Sequence, residues 1–371
     1  MPSYLIALVS AFLLFPSSGA FAQELRLPEP GPVAVPAAAA ASEDAAALAA
    51  DYYELYAALE AYSNAAFFSP QSSPQFLEAS AAGQYLRARL EETAARIERA
   101  SGAPFVPPVF RGEPRVSYRV RQELDGVFGP YSPDAGRGGA EGETYDIRQG
   151  YCRVKYVKNN VPFLVQSDAF LKKGEVIITF DDGPGPLTDE VSADMREAGV
   201  PAVFFVLGSK LGAEGKERIA REAADGHSVA VHGYWHATES GKPLTAYTTG
   251  KIVEQFGGVK NAIRQASGST PAFFRPPYGI ITPEAVKALD SELGLVPVGW
   301  TVDTLDWSTK DPEQLFQNTI SLIQRRGKGI VLMHDIHPQS RTAVKRLVKW
   351  LAENGYKTVS PDRLARAYRG R

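Results

Sequence analysis

The chain has 371 residues, 44% of them apolar and 22% charged, with a formal net charge of −2. At about 150 residues per domain, that length fits two domains or one large one, with enough apolar residue for a sizeable core. The near-neutral balance argues against nucleic acid as a partner, since a phosphate-neutralising chain carries a basic excess. The single cysteine, Cys152, excludes a disulfide framework and a zinc ribbon or finger. The only histidines are His227, His232, His236, His334 and His337, all in the C-terminal half, and this clustering is the first pointer to function.

Tyr4 to Phe15 is apolar apart from Ser10, and Pro16-Ser17-Ser18-Gly19 breaks the run. Ala20-Phe21-Ala22 fits a small-x-small cleavage site, so residues 1–22 read as a signal peptide, although no Lys or Arg precedes the run. A membrane-spanning helix needs about 20 apolar residues, more than this run supplies. The protein is therefore expected to be exported, to the periplasm, the cell envelope or the medium. Cys152 then reads as a small buried side chain and not as a nucleophile.

Residues 23–41, rich in Pro and Ala without periodicity, read as a linker. Ser42-Glu43-Asp44 resembles a helix N-cap, and Leu48, Tyr52, Leu55, Leu59 and Tyr62 then recur at helical spacing. A turn at Ser69–Pro74 precedes a second stripe, Ala79, Gly83, Leu86, Leu90, Thr93 and Ile97, which Gly102 stops. Residues 42–102 are thus a predicted helical hairpin, either packed against a core or serving as a docking module. Residues 103–173 form a small mixed or β region. Val116–Val120 and Tyr151–Val157 alternate like short strands, with a glycine-rich stretch between them.

From residue 174 to 371 the chain alternates regularly. Strand-like runs are Val176–Phe180, Ala202–Val206, Ser228–Val231, Ala272–Arg275, Val296–Thr301, Ile330–His334 and Lys357–Val359. Helical stretches fall at about 188–198, 213–225, 249–266, 282–293, 311–326 and 339–354. This is an α/β pattern of parallel strands with outer helices, a barrel or a doubly wound sheet, in which chemistry sits at the C-terminal strand ends.

Those ends carry reactive side chains. The first is Thr179-Phe180-Asp181-Asp182-Gly183-Pro184, where one carboxylate can face a metal while the other stays free as a base. The alternative is a solvated acidic turn. The third run leads into His232-Gly233-Tyr234-Trp235-His236, whose histidines, if helical, lie one turn apart and can share an ion with an acid from elsewhere. Arg275-Pro276-Pro277-Tyr278, Asp303-Thr304-Leu305-Asp306-Trp307 and Leu332-Met333-His334 follow. Each is weak alone. Their joint placement at successive strand ends is the signal.

In this order the five segments resemble the motifs of polysaccharide deacetylases of the NodB-homology type, carbohydrate esterase family four. The resemblance covers residues 174–371 and implies a distorted (β/α) barrel of about seven strands. It implies Asp181 as general base, and Asp182, His232 and His236 as ligands of a divalent metal, usually zinc. Arg275 would orient Asp181, and Asp303 would orient His334, the general acid. The Tyr278 N–H would hold an oxyanion, and Trp307 and Leu332 would wall an acetyl pocket. One departure is Gly233, where the family commonly has Ser or Thr. The implied activity is removal of N-acetyl groups from an N-acetylglucosamine polymer such as peptidoglycan, a chitin-type chain or an exopolysaccharide. The implied partner is that acetylated polysaccharide, with envelope association through the N-terminal region. Alternatives are an O-acetyl esterase on xylan or another glycan, and a catalytically silent glycan-binding protein. A silent protein is expected to lack the base, a ligand or the acid, and this chain retains all of them.

Overall fold

A computed structural model of the chain describes residues 44–129 and 139–370. The signal segment and the linker lie outside the described residues. Helices α1 (Ala45–Phe68) and α2 (Pro74–Ser101) form the hairpin. The Asp44 side chain caps α1 by accepting from the Ala46 N–H, Ser73 caps α2 through the Phe76 N–H, and Gly102 ends α2 in a left-handed conformation. The expected stripes face each other. Leu55 and Leu86 are fully buried, and each such leucine stabilises the hairpin by about 1.5–3 kcal/mol.

Helix α3 (Tyr118–Phe128) replaces the strand expected at Val116–Val120. Ser117 accepts from the Val120 N–H, and this N-cap starts a helix where a short alternation alone suggested a strand. Strands β1 (Thr144–Arg148), β2 (Cys152–Val157) and β3 (Val161–Gln166) then form an antiparallel sheet. Cys152 is buried in it.

The main sheet is parallel and curled. Its strands are β4 (Glu175–Gly183), β5 (Ala202–Val206), β6 (Ser228–Val231), β7 (Phe273–Phe274), β8 (Val296–Pro297), β9 (Val302–Asp303), β10 (Gly329–His334) and β11 (Lys357–Thr358). Their order is β8-β7-β6-β5-β4-β10-β9, with β11 beside the start of β4. The single run expected at Val296–Thr301 is split into β8 and β9. Helices α4 (Thr188–Glu197), α5 (Ala213–Ala224), α6 (Thr249–Ser267), α7 (Pro283–Leu293), α8 (Pro312–Arg326), α9 (Pro338–Glu353) and α10 (Asp362–Arg369) follow the strands. The architecture is the distorted barrel that the resemblance implied, one of the two arrangements the alternation left open. Among the described residues, no helix is long and apolar enough to cross a membrane.

Two apolar cores result. One lies between the curled sheet and its helices. The other joins the hairpin and α3 to Val161 and Phe163 of β3 and to three barrel-rim residues, Tyr278, Leu305 and Trp307. The hairpin is therefore packed onto the mouth of the barrel.

Candidate metal and acid–base centre

Strand register sets the site. His334 pairs with Asp181 across β10 and β4, and Leu332 pairs with Thr179 on one side and Asp303 on the other. His232 and Arg275 directly follow β6 and β7, so these side chains gather at one level of the barrel mouth. The β4–β5 ladder slips between Asp181 and Gly183, and Asp182 sits in the slip at φ 70°. This bulge aims the two adjacent carboxylates differently.

Asp182 Oδ1 lies 3.4 Å from His232 Nε2 and 3.5 Å from His236 Nε2. These three groups form the candidate metal cluster of the described residues. The histidines do not share a helix. The chain turns at Gly233, whose φ of 90° an L side chain rarely adopts, and His236 folds back toward His232. His232 Nδ1 lies 2.8 Å from the Arg275 carbonyl and donates to it, so Nε2 is the nitrogen turned toward the cluster. Burial and the neighbouring histidines push His236 down to about 4. Burial alone would raise the Asp182 carboxyl, but His236, His232 and His334 hold it well below the usual range. Asp182 Oδ1 is buried and accepts no hydrogen bond. An orphaned carboxylate oxygen between the Nε2 atoms of two histidines fits a divalent cation with open positions.

Asp181 stands beside this cluster. Arg275, fully buried, donates from one Nη to Asp181 Oδ1 at 2.7 Å and to Thr179 Oγ1 at 2.9 Å. Its other donors reach the Val298 and Gly299 carbonyls, and the guanidinium lies 4.3 Å from the Phe205 ring. Every part of Arg275 is engaged, so Asp181 is held by one oxygen, while Oδ2 lies 3.8 Å from His232 Nε2.

His334 lies across from Asp181. Its Nδ1 is 2.7 Å from Asp306 Oδ1, and its backbone N–H donates to Asp306 Oδ2, also at 2.7 Å. Ser340 donates to the same oxygen at 2.5 Å. Burial would lower the imidazole, but Asp306, with Asp182 and Asp181, raises it to about 10. Its Nε2 faces Asp182 at 3.8 Å. The aspartate that holds His334 is therefore Asp306, and not Asp303 as expected from the sequence. The reason is Leu305, which at φ 56° turns the chain between them and sends Asp306 to the histidine.

Asp303 points instead to the hairpin. Its Oδ2 accepts from Ser80 on α2, its Oδ1 from the Leu305 N–H, and its own N–H donates to Gln71 in the α1–α2 turn. Burial raises its carboxyl to about 6. Trp307 is also buried and lies directly over Gly83 of α2, where a Cβ would collide with its ring. Leu332 is buried two residues before His334, on the same face of β10. Tyr278 has φ 57°, and its ring lies edge-on to His236 at 4.3 Å and to Phe128 at 5.7 Å. The remaining histidines differ in placement. His227 packs behind the sheet, with Nε2 2.9 Å from the Ser192 carbonyl, while the His337 ring lies 5.6 Å from that of His334.

The structure brings Asp181, Asp182, His232, His236, Arg275 and His334, all singled out from the sequence, into one place. Sequence reasoning missed Asp306, Ser340, Thr179 and the α2 residues Ser80 and Gly83. A glycine inside a strong helical stripe was the available hint, because it costs about 1 kcal/mol there unless something approaches closely.

A family model described as polysaccharide deacetylase matches residues 170–298. A peptidoglycan-N-acetylglucosamine deacetylase of Bacillus cereus is 34% identical over 187 residues, which is 48% of this chain and 66% of that protein, just short of two thirds. A solved structure described as a T48 deacetylase with substrate shares 34% identity, covers 53% of this chain and 92% of its own, and has a TM-score of 0.45. A chitooligosaccharide deacetylase of a Bradyrhizobium species is 35% identical over 165 residues, 44% of this chain and 71% of that protein. With that coverage and the family match, the chain belongs to the polysaccharide deacetylase family.

Proposed function

We propose that this chain is an exported, metal-dependent N-deacetylase of an N-acetylglucosamine-containing polysaccharide, peptidoglycan or a chitin-type chain, that releases acetate. The observation that carries this reading is the Asp182–His232–His236 triad, with a carboxylate held by arginine on one side and an imidazole held by aspartate on the other. Relatives named as peptidoglycan and chitooligosaccharide deacetylases support the polymer class. Export is supported by the Tyr4–Phe15 run and the Ala20-Phe21-Ala22 site. The catalytic domain is assigned to residues 174–371.

Asp182, His232 and His236 would hold the ion, and an oxygen and nitrogen donor set without sulfur suits zinc or a similar divalent metal. When bound, such an ion polarises a carbonyl and lowers the pKa of water to about 7. Asp181, its other oxygen pinned by Arg275, takes the proton from the attacking water. The water oxygen bonds to the acetamide carbon, and the Tyr278 N–H donates to the developing oxyanion. His334, kept cationic by Asp306, then protonates the sugar nitrogen from Nε2 as the C–N bond breaks. Acetate and a free amine remain. Leu332 and Trp307 supply the apolar surface for the methyl group.

The test is acetate release from N-acetylglucosamine oligomers, peptidoglycan and acetylated xylan in parallel. It is run before chelation, after it, and after zinc is returned. The proposal expects release from the first two, abolished by chelator and restored by zinc. Release from xylan alone would convert the reading to an ester hydrolase. Release from nothing, with metal bound, would refute it.

A further inference from the structure

The hairpin does more than cap the barrel mouth. Between α1, α2 and the segment 305–318 lies an open groove of about 610 Å³, outside the Asp182 cluster. That is the size of clefts that hold small ligands. Its lining has two features that point to a ligand. Tyr56, Phe67 and Phe68 line it with aromatic faces, and Phe67 and Phe68 are 47% and 63% exposed although large and apolar. Beside them, the Asn64, Lys310 and Gln314 side chains have no hydrogen bond within the chain among the described residues. Aromatic rings beside unengaged amides and an ammonium match a pyranose, whose C–H faces are apolar and whose rim is ringed with hydroxyls.

The charges narrow the ligand. Glu60, Glu91 and Asp311 face Arg87 and Lys310 around the groove, so its formal charge is near balance. A polyanionic glycan has no cationic field to follow here, whereas a neutral N-acetylhexosamine chain is admitted. The groove lies beside the site. Leu305, next to Asp306, forms part of its wall, and Arg87 lies near enough to His337 to lower that imidazole further, beyond the larger effect of burial. His337 in turn is the ring neighbour of His334.

We propose that this groove is a saccharide subsite contributed by the N-terminal hairpin, binding the neutral N-acetylhexosamine units that extend from the residue being deacetylated. The proposal rests on the deacetylase reading for the identity of the chain. It assigns to residues 45–101, which lie outside the family match, the selection of longer polymers over short ones.

Calorimetric titration of the full chain with N-acetylglucosamine oligomers from dimer to hexamer tests it, alongside acetate release from the same oligomers. Phe68→Ala and Lys310→Ala are the variants, because both side chains are exposed and their loss leaves the core intact. Wild-type protein is expected to bind the hexamer at least tenfold more tightly than the dimer. Each variant is expected to lose most of that gain while keeping dimer affinity and dimer turnover. Turnover of the dimer with no gain for the hexamer overturns the subsite alone. A tenfold gain that survives unchanged in both variants also overturns it. Length-dependent binding that the variants abolish, with no acetate released from any oligomer, supports the groove and overturns the deacetylase reading.

Discussion

Exchanging Asp306 and Asp303 separately for asparagine distinguishes the two aspartates that the sequence alone could not separate. Asp306 accepts two hydrogen bonds from His334 and one from Ser340. A hydrogen bond to a charged group contributes about 1.5–3 kcal/mol, so losing the one to Nδ1 lowers turnover by roughly tenfold to 150-fold. The charge matters as well. His334 is raised to about 10 chiefly by Asp306, against burial that lowers it. With Asp306→Asn the burial remains and the counter-charge is gone, so the imidazole becomes neutral at a lower pH. The descending limb of kcat against pH then moves toward acid, and the loss is larger at pH 8 than at pH 6. Asp303→Asn keeps an oxygen for the Leu305 N–H and can donate its amide to Ser80. Burial raises the Asp303 carboxyl to about 6, so a charge is lost above that pH, but its side-chain contacts are Ser80 and the Leu305 N–H and not His334. Its turnover is expected to stay within about fivefold of wild type, on the order of 1 kcal/mol. Acetate release across pH 5.5–9 reads both variants. If Asp303→Asn is the more damaging, or if the limb of Asp306→Asn does not move, the assignment of the dyad is wrong.

Gly83→Ala adds a methyl group where the Trp307 ring lies, and overpacking of about 1–3 kcal/mol outweighs the ~1 kcal/mol gain in helix propensity. A lower melting midpoint is expected, and a higher one would show that the hairpin does not rest on Trp307 as described. His232→Ala removes a ligand and, with it, the metal, read by elemental analysis of the purified protein, whereas Asp181→Asn retains metal and loses turnover. Burial pushes the Cys152 thiol from 9.0 up to about 12, so at pH 8 it should resist alkylation in the native state and react only after unfolding. Glu222 is fully buried, neither of its oxygens has a hydrogen-bond partner, and burial raises its carboxyl well above 4.5. The folded state therefore holds this proton after the unfolded chain has released it, and the stability it contributes below pH 4.5 is lost as pH rises. Glu222→Gln removes that titration, so the melting difference between variant and wild type should grow in the variant's favour from pH 4.5 to pH 8. A difference that stays constant with pH contradicts it.

What the sequence disclosed follows from where each signal resides. Strands β4, β5, β6 and β10 are buried runs of β-branched and aromatic residues, and a run of that kind declares itself locally. The helices repeat every three to four residues over several turns, so they were legible too. Strands β7, β8 and β9 are two residues each, β7 held between β6 and β8 and the other two paired at the sheet edges, and propensity over two residues says nothing. The α3 error has the same root, since five alternating residues are compatible with either period and only the Ser117 cap decides. Within the site, Asp181, His232, Arg275 and His334 stand at or just past strand ends, where register dictates position, while His236 is brought back by the turn at Gly233. Asp306 stands three residues past β9, and its direction depends on a left-handed Leu305. A leucine adopts that conformation only when packing holds it there. That packing comes from α1 and α2, more than 200 residues earlier in the chain, through Gln71, Ser80 and Gly83. The acid's orientation is thus fixed by a long-range contact with no local trace. The same contact ties the hairpin to the segment that carries Asp306, so its loss should cost turnover as well as stability.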